Sequence, residues 1–391
     1  MKKSLYAGAV RKAVLQVKKV GAGSKLEPSS IMLRAAEISA VVTQAATGAG
    51  FELVGIAPAD DAPELKYFPQ WIAAGHAGEM KYLEARDEQG RLKRASLANA
   101  APWARSVIVC ALNYNTAQPY STQMTDATRG WIARYAWGRE DYHEAVMRRL
   151  RQVEAAVRDA AGGDVATRCY VDTGPIVERV VAKYAGVGWI GKNTCIINQK
   201  LGSWLFLGVI LTSLELEPGG EASLPAPDRC GSCTRCIDAC PTDALIAPYR
   251  LDSNKCISYL TIEKRGALPE DEELRSGVGR HVFGCDICQD VCPWNRKAPA
   301  TDADEFQPRE ELVNPALEWL AEMSGEEFSR TFRGTAVRRA KRAGMRRNAV
   351  IAMGNSGEQR FVPLLEKLAG DEDEVVAGSA AWARRKLADP D

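Results

Sequence analysis

The sequence predicts an α+β fold of several domains. An α/β domain over residues 31–220 is followed by a cysteine-rich module over 221–300 and an α-helical, HEAT-like tail over 301–391. Three observations carry this. Eight of the eleven cysteines fall between Cys230 and Cys292. The stretch before them alternates short apolar runs with longer amphipathic ones, as α/β chains do. The stretch after them has no cysteine and repeats a short helical pattern. A chain of 391 residues has length for two or three domains with a real core. Its net charge of +1 leaves room for a local basic patch.

Residues 1–30 read as a basic extension that ends in "GAGSKLEPSS". Arg11 and Lys12 interrupt any apolar run there, so a signal peptide is not expected. The apolar run "WLFLGVILTSL" is about half the length that spans a bilayer. A cytoplasmic chain with no membrane contact is therefore expected.

"SVIVCALNY" (106–114) predicts a buried strand between the turn "NAAPWAR" and a polar loop. "DYHEAVMRRLRQVEAAVRDAAGG" (141–163) predicts a helix that opens on an Asp and closes on Gly-Gly. "RCYVDTGP" (168–175) predicts a short strand running into a turn, and "IVERVVAKYAG" (176–186) a helix closed by Gly186. "TCIINQKLGSWLFLGVILTS" (194–213) predicts a strand pair joined at Lys200–Gly202. Two matches in this domain fail on context. "GVGWIG" (186–191) fits the dinucleotide fingerprint but follows a helix and precedes a strand, the reverse of what that site needs. "DTG" (172–174) matches an aspartic-protease triplet, but no second copy exists to share the proton. Asp172 is left as either a working acid or the cap of the turn before residue 176.

In the module, Cys230-x2-Cys233-x2-Cys236-x3-Cys240-Pro241 is followed by Cys256 and then by Cys285-x2-Cys288-x3-Cys292-Pro293. A C-x2-C-x2-C turn brings three thiolates to one face of a cubane iron–sulfur cluster, and the cysteine before proline ligates the other cluster. Crossing the ligands predicts one [4Fe-4S] set of Cys230, Cys233, Cys236 and Cys292, and a second of Cys240, Cys256, Cys285 and Cys288. Two zinc sites are the alternative, but they leave the repeated x2-x3-Pro spacing unexplained. The 28 residues between Cys256 and Cys285 make this an elaborated ferredoxin-like module. Two clusters conduct electrons, so the chemistry belongs elsewhere in the chain.

The tail reads as helix, turn, helix, acidic turn, helix, with "NAVIAMG" and "GSAAWAR" about thirty residues apart. Its leading edge carries Arg330, Arg333, Arg338, Arg339, Lys341, Arg342, Arg346 and Arg347 with no acid among them. This is either a solvated basic face or a contact for nucleic-acid phosphates.

The chain resembles the epoxyqueuosine reductases. The stretches that carry the likeness are "KRASLANAAPWARSVIVCALNY", "RYAWGREDYH", "VDTGP", "AGVGWIGKN", "CGSCTRCIDACPT", "CISYLTIEKRG", "GCDICQDVCPWN" and "RRNAVIAMGN", spanning residue 31 to near the end. The resemblance implies a cobalamin-dependent reduction of epoxyqueuosine in a tRNA anticodon, fed through the clusters by an external low-potential donor, in a monomeric enzyme. It implies Asp172 as proton donor and Arg94, Arg134, Asp141, Asp172, Lys192 and Asn193 near the cobalamin. With tRNA as the implied substrate, the basic edge of the tail is expected to contact it through Arg338, Arg339, Lys341, Arg342, Arg346 and Arg347. "DYHEAV" has Val146 where a cobalt-ligating D-x-H-x-x-G motif has Gly, which argues against His143 as a cobalt ligand; the resemblance implies base-off cobalamin with no ligand from the protein. "WGREDYH" is one residue longer than the family's W-G-x-D-Y-H. To act as an acid near neutrality Asp172 should have a raised pKa. A corrinoid reductase of small molecules, of the reductive dehalogenase kind, is the second reading.

Overall fold

The computed structural model describes residues 28–218 and 225–389; most of the basic extension lies outside them. The first helix, α1 (Pro28–Gly48), leads into strand β1 (Leu53–Pro58). β2 (Ser106–Asn113) is the predicted "SVIVCALN" strand and is buried at all eight positions. β3 (Trp131–Ile132) precedes α2 (Tyr142–Ala161), which Asp141 caps at its start and left-handed Gly162 ends. β4 (Thr167–Tyr170), α3 (Glu178–Tyr184), β5 (Trp189–Ile190), β6 (Ile196–Ile197) and β7 (Leu205–Thr212) complete this half.

The main sheet has the order β1-β2-β7-β4, and every neighbouring pair is antiparallel. It is covered on both faces, which is why β2 and β7 are apolar almost throughout. One face, with Ile108, Cys110 and Ile210, packs on Val42 of α1 and Val146, Leu150 and Val153 of α2. The other, with Val107, Val109 and Leu211, packs on Val181, Ala182 and Ala185 at α3. Gly55 is required here: a Cβ on it would stand 1.8 Å from the Ala185 carbonyl oxygen.

The strand pair expected over 194–213 forms only at its bend, where Asn198 bridges Gly202. β6 pairs instead with β5, and β7 joins the main sheet. The six large apolar side chains of β7 need cover on two faces, and the central sheet gives it. Gly186, at φ 73°, ends α3 and leads to β5, so "GVGWIG" runs helix to strand, as its context required.

β3 runs parallel to β8 (His281–Phe283), and Trp131, Ile132 and Trp137 share a core with Val282, Phe283 and the C-terminal helices. Those helices are α4 (Lys341–Ser356), α5 (Val362–Leu368) and α6 (Glu374–Ala388), after shorter turns. "NAVIAMG" lies in α4 and "GSAAWAR" in α6, which pack on each other. No described helix is long and apolar enough to cross a membrane.

Two of the six cations assigned to the tRNA surface are inside the protein. Arg346 is 5% exposed and pairs with Asp371 at 2.5 Å and with the Ala321 carbonyl. Arg347 is 1% exposed and bonds the carbonyls of Leu260, Lys264 and Gly266. Each carbonyl left bare would cost on the order of 1–3 kcal/mol, so Arg347 staples α4 to residues 260–266 and Arg346 ties it to Ala321 and Asp371. Arg338, Arg339 and Lys341 are exposed and Arg342 is half-buried.

Candidate active site

β4 ends in the turn that presents Asp172. The residue sits at φ 58°, a left-handed conformation that costs a non-glycine residue energy and that its neighbours hold in place. Its backbone N–H donates to Glu178 Oε1 at 2.7 Å. Gly174 closes the turn against the Tyr170 ring, where a Cβ would come within 2.6 Å. Arg94 donates to the Gly174 carbonyl at 2.7 Å and to the Tyr82 carbonyl at 2.9 Å.

The Asp172 carboxylate receives the Tyr142 hydroxyl at 2.8 Å and stands 3.7 Å from His143 Nε2. The other ring nitrogen of His143 bonds Asp141 at 2.7 Å. Asp141 also caps α2, so one carboxylate fixes both the helix start and the imidazole. Tyr142 stacks on Phe206 with 4.4 Å between ring centroids, which holds its hydroxyl toward Asp172.

These contacts distribute the protons. Burial opposes charge on His143, but the hydrogen bond to Asp141 and the carboxylate charge of Asp172 outweigh it and raise the imidazole to about 9. Burial, reinforced by the charge of Asp172, raises Glu178 to about 8. Asp172 goes the other way. Burial would raise it, but the bonds from His143 and Tyr142 prevail and hold it below the usual carboxylate range. This corrects the expectation that Asp172 itself is raised: at neutrality it is an anion, and the protons wait on His143 and Glu178. The sequence reading missed Tyr142 and Glu178, and considered His143 only as a metal ligand. Its one available signal was the string Asp141-Tyr142-His143, three polar or aromatic side chains at a helix start.

The cysteines gather as two quartets. Cys230, Cys233, Cys236 and Cys292 line one cavity of about 350 Å³. Cys240, Cys256, Cys285 and Cys288 lie close enough that each thiol feels another's charge. No three His, Cys, Asp or Glu side chains among the described residues close on one point as a single zinc ion requires. Quartets spread around a cavity suit a multi-iron cage. The second quartet is the inner one: Cys256 and Cys285 pack on the main core. Tyr135 spans from Phe283 of that core to Tyr142, at centroid distances of 6.0 and 5.7 Å.

The first cavity has a further mark of its occupant. The Trp189 indole nitrogen is sealed from water, has no hydrogen-bond partner within the protein and lies near the Cys230 sulfur. Trp189→Phe keeps the ring against Trp294 but removes this donor. The expected result is a drop of roughly 40 mV in the potential of the outer cluster, the equivalent of about 1 kcal/mol for one electron. An EPR-monitored redox titration checks it.

Lys192 and Asn193 hold the quartets rather than the Asp172 turn. Lys192 Nζ bonds the carbonyls of Gly231 and Cys233 at 2.7 and 3.0 Å. Asn193 donates to the Cys288 carbonyl at 3.3 Å. The link to Asp172 runs through Arg179, which bonds the next carbonyl, Thr194, at 2.8 Å. Arg134 does not face a cofactor site. It is 2% exposed, its two NH2 groups bond Thr116, Gln118 and Pro119, and Tyr120, Trp137 and Trp204 surround it. Arg94, also buried, braces the Asp172 turn.

Residues 94–173 match the family model described as "Epoxyqueuosine reductase QueG, DUF1730", and residues 229–295 match "4Fe-4S double cluster binding domain". An epoxyqueuosine reductase of Pseudomonas aeruginosa is 39% identical over 86% of this chain and 91% of its own, and one of Gloeobacter violaceus 41% identical over 83% and 98%. The fold is similar to an epoxyqueuosine reductase solved with an epoxyqueuosine-modified tRNA-Tyr stem loop. That match has TM-score 0.77 and 32% identity, covering 90% of this chain and 91% of the other. A Bacillus subtilis structure, solved with an aspartate-bearing catalytic loop swung out of the active site, matches with TM-score 0.78 and 31% identity over the same shares. With relatives of this kind about 40% identical over more than four fifths of its length, this chain belongs to the epoxyqueuosine reductase family.

Proposed function

We propose that this enzyme reduces epoxyqueuosine to queuosine in a tRNA anticodon, with Asp172 as the last proton donor and His143 as its source. The observation that carries this is the set Asp141–His143–Asp172–Tyr142, joined through Tyr135 to the core on which the inner cysteine quartet packs. Opening an epoxide to an alkene consumes two electrons and two protons and releases water. Two [4Fe-4S] clusters and a base-off cobalamin would supply the electrons. Cys230, Cys233, Cys236 and Cys292 would hold one cluster, and Cys240, Cys256, Cys285 and Cys288 the other. The cobalamin would lie against Asp141, Asp172 and the Lys192–Asn193 turn. Both ring nitrogens of His143 face carboxylates, which commits the imidazole to holding a proton between Asp141 and Asp172.

The residues supply the protons. Asp172, an anion at rest, takes a proton from protonated His143 and gives it to the departing oxygen. Tyr142 holds the carboxylate toward the substrate. Glu178, neutral near pH 7 and fixed to the Asp172 backbone, is a second proton store. On this reading residues 31–220 are catalytic, 221–300 conduct electrons, and 301–391 form a HEAT-like support for RNA.

The exposed cations Arg338, Arg339 and Lys341, with the half-buried Arg342, would contact phosphates. Arg339 pairs with Glu263 at 2.8 Å and lies over Tyr82, 5.5 Å from the ring centroid. Tyr82 is half-exposed, lies within reach of the Asp172 charge and offers a face on which a base can stack. Tyr82→Ala is expected to weaken tRNA binding by about 1–3 kcal/mol, measured as Kd by filter binding.

The function is tested by giving anaerobic enzyme, loaded with cobalamin and a reductant, tRNA that carries epoxyqueuosine. Loss of one oxygen from the nucleoside, weighed after digestion, supports the reading. An unchanged nucleoside with both clusters and cobalamin bound refutes it.

A further inference from the structure

The cavity ringed by the outer quartet opens at the protein surface, and its wall carries Lys192, Arg229 and Arg235 with no carboxylate. Arg229 and Arg235 are exposed, and neither has a carboxylate partner among the described residues. The nearby acids are engaged: Asp228 accepts from the Tyr249 hydroxyl and the Cys230 N–H, and Asp238 from the Thr234 hydroxyl. Lys192 holds the cysteine loop, so the two arginines are the cations left to meet a partner.

Tyr249, 44% exposed, joins this rim through its bond to Asp228, and Ile246, 42% exposed, lies three residues before it; they are two of the four large apolar side chains exposed in the described residues. Tyr249 sits at φ 65°, a strained backbone, and its backbone N–H is tied to the Lys192 carbonyl at 3.0 Å. The ring lies within electrostatic reach of Cys230 and Cys236. A tyrosine held strained and exposed against a redox centre is not needed by the core, which it does not enter.

We propose that this face is the docking site of a small, acidic, one-electron carrier protein of low potential. The proposal rests on the reading of the quartets as electron-carrying clusters and names the partner that feeds them. An apolar centre with a cationic rim is the pattern of a transient protein interface, where charge steers the encounter and a small apolar contact orients it. RNA would be drawn to the cations but has less use for Ile246. Each encounter passes one electron inward and releases the carrier oxidised, and two encounters supply the pair that one epoxide consumes.

The test uses the full-length protein with both clusters, mixed anaerobically with reduced flavodoxin, an acidic flavoprotein, while cluster absorbance is followed. The wild-type second-order rate should fall steeply as salt rises. Arg229→Glu combined with Arg235→Glu should lower it roughly tenfold or more at low salt. Reduction by dithionite and the Kd for tRNA should not change. Equal rates in variant and wild type, or a wild-type rate indifferent to salt, would overturn the proposal. So would loss of tRNA binding with the carrier rate intact, which would give the face to RNA. If the double variant loses its clusters, Arg229→Gln and the wild-type salt series still decide the matter. Failure of dithionite to bleach the wild type would instead sink the cluster reading on which the proposal stands.

Discussion

Asp172→Asn lowers kcat by about 10²- to 10⁴-fold, the usual worth of a placed general acid, while cluster absorbance and tRNA affinity stay as in wild type. The amide keeps the shape of the carboxylate and can still accept from Tyr142, so the fold of the turn survives. What it loses is the ability to receive a proton from His143 and pass it on. His143→Gln should cause a loss of similar order, and the double variant should be little worse than either single one, because the two side chains act as one unit. Wild-type kcat should fall as pH rises through about 9, where His143 gives up its proton. In His143→Gln that alkaline limb should disappear. The same shift bears on stability. A histidine raised from 6.5 to about 9 stabilises the fold fully below pH 6.5, and this contribution is lost as pH climbs through about 9. Asp172, lowered from 3.8, contributes above that pH and loses its contribution as pH falls further. Single-turnover measurements across pH 6–10 check the rates; an Asp172→Asn enzyme with unchanged kcat would remove Asp172 from the chemistry.

Cys240→Ala and Cys292→Ala each remove one cluster, and the cluster removed is the one far away in sequence. Cys240 follows Cys230, Cys233 and Cys236 by a few residues, yet it lies with Cys256, Cys285 and Cys288. Cys292 follows Cys288 closely, yet it lines the cavity of the first three. Iron per chain should fall from about eight to about four in each variant. Cys240→Ala should keep the outer signal, the one that Trp189→Phe shifts, and Cys292→Ala should lose it. Both should abolish turnover, because either loss breaks the route from surface to Asp172. If Cys240→Ala loses the outer signal instead, the ligands are not crossed.

Much of this was legible in the sequence, and the parts that were not share a cause. The cysteine spacing, the buried strand at 106–113 and the capped helix at 142–161 depend on local chemistry, and each could be read from a short window. The antiparallel order of the sheet could not, because β4 joins β7 from about forty residues away and no residue type announces that choice. Arg346 and Arg347 misled for the same reason. Their charge is visible in the chain, but the carbonyls and the carboxylate that bury it lie 25 to 87 residues distant. At the site, Asp172 was found by its motif. Its protonation state was not, since Tyr142 and His143 arrive from another helix and reverse the effect of burial.

The position of Cys292 has a consequence for how the protein is made. A ribosome releases the chain from its beginning, so Cys230, Cys233 and Cys236 emerge well before the thiol that completes their ring. Cys240 and Cys256 emerge early too, and wait for Cys285 and Cys288. Neither cage can be filled until Cys288 and Cys292 have emerged, and both become fillable within a few residues of each other. Insertion of iron and sulfide is then a paired event that waits for about three quarters of the polypeptide. A chain cut short before Cys285 would carry three thiols of one ring and two of the other, and could close neither.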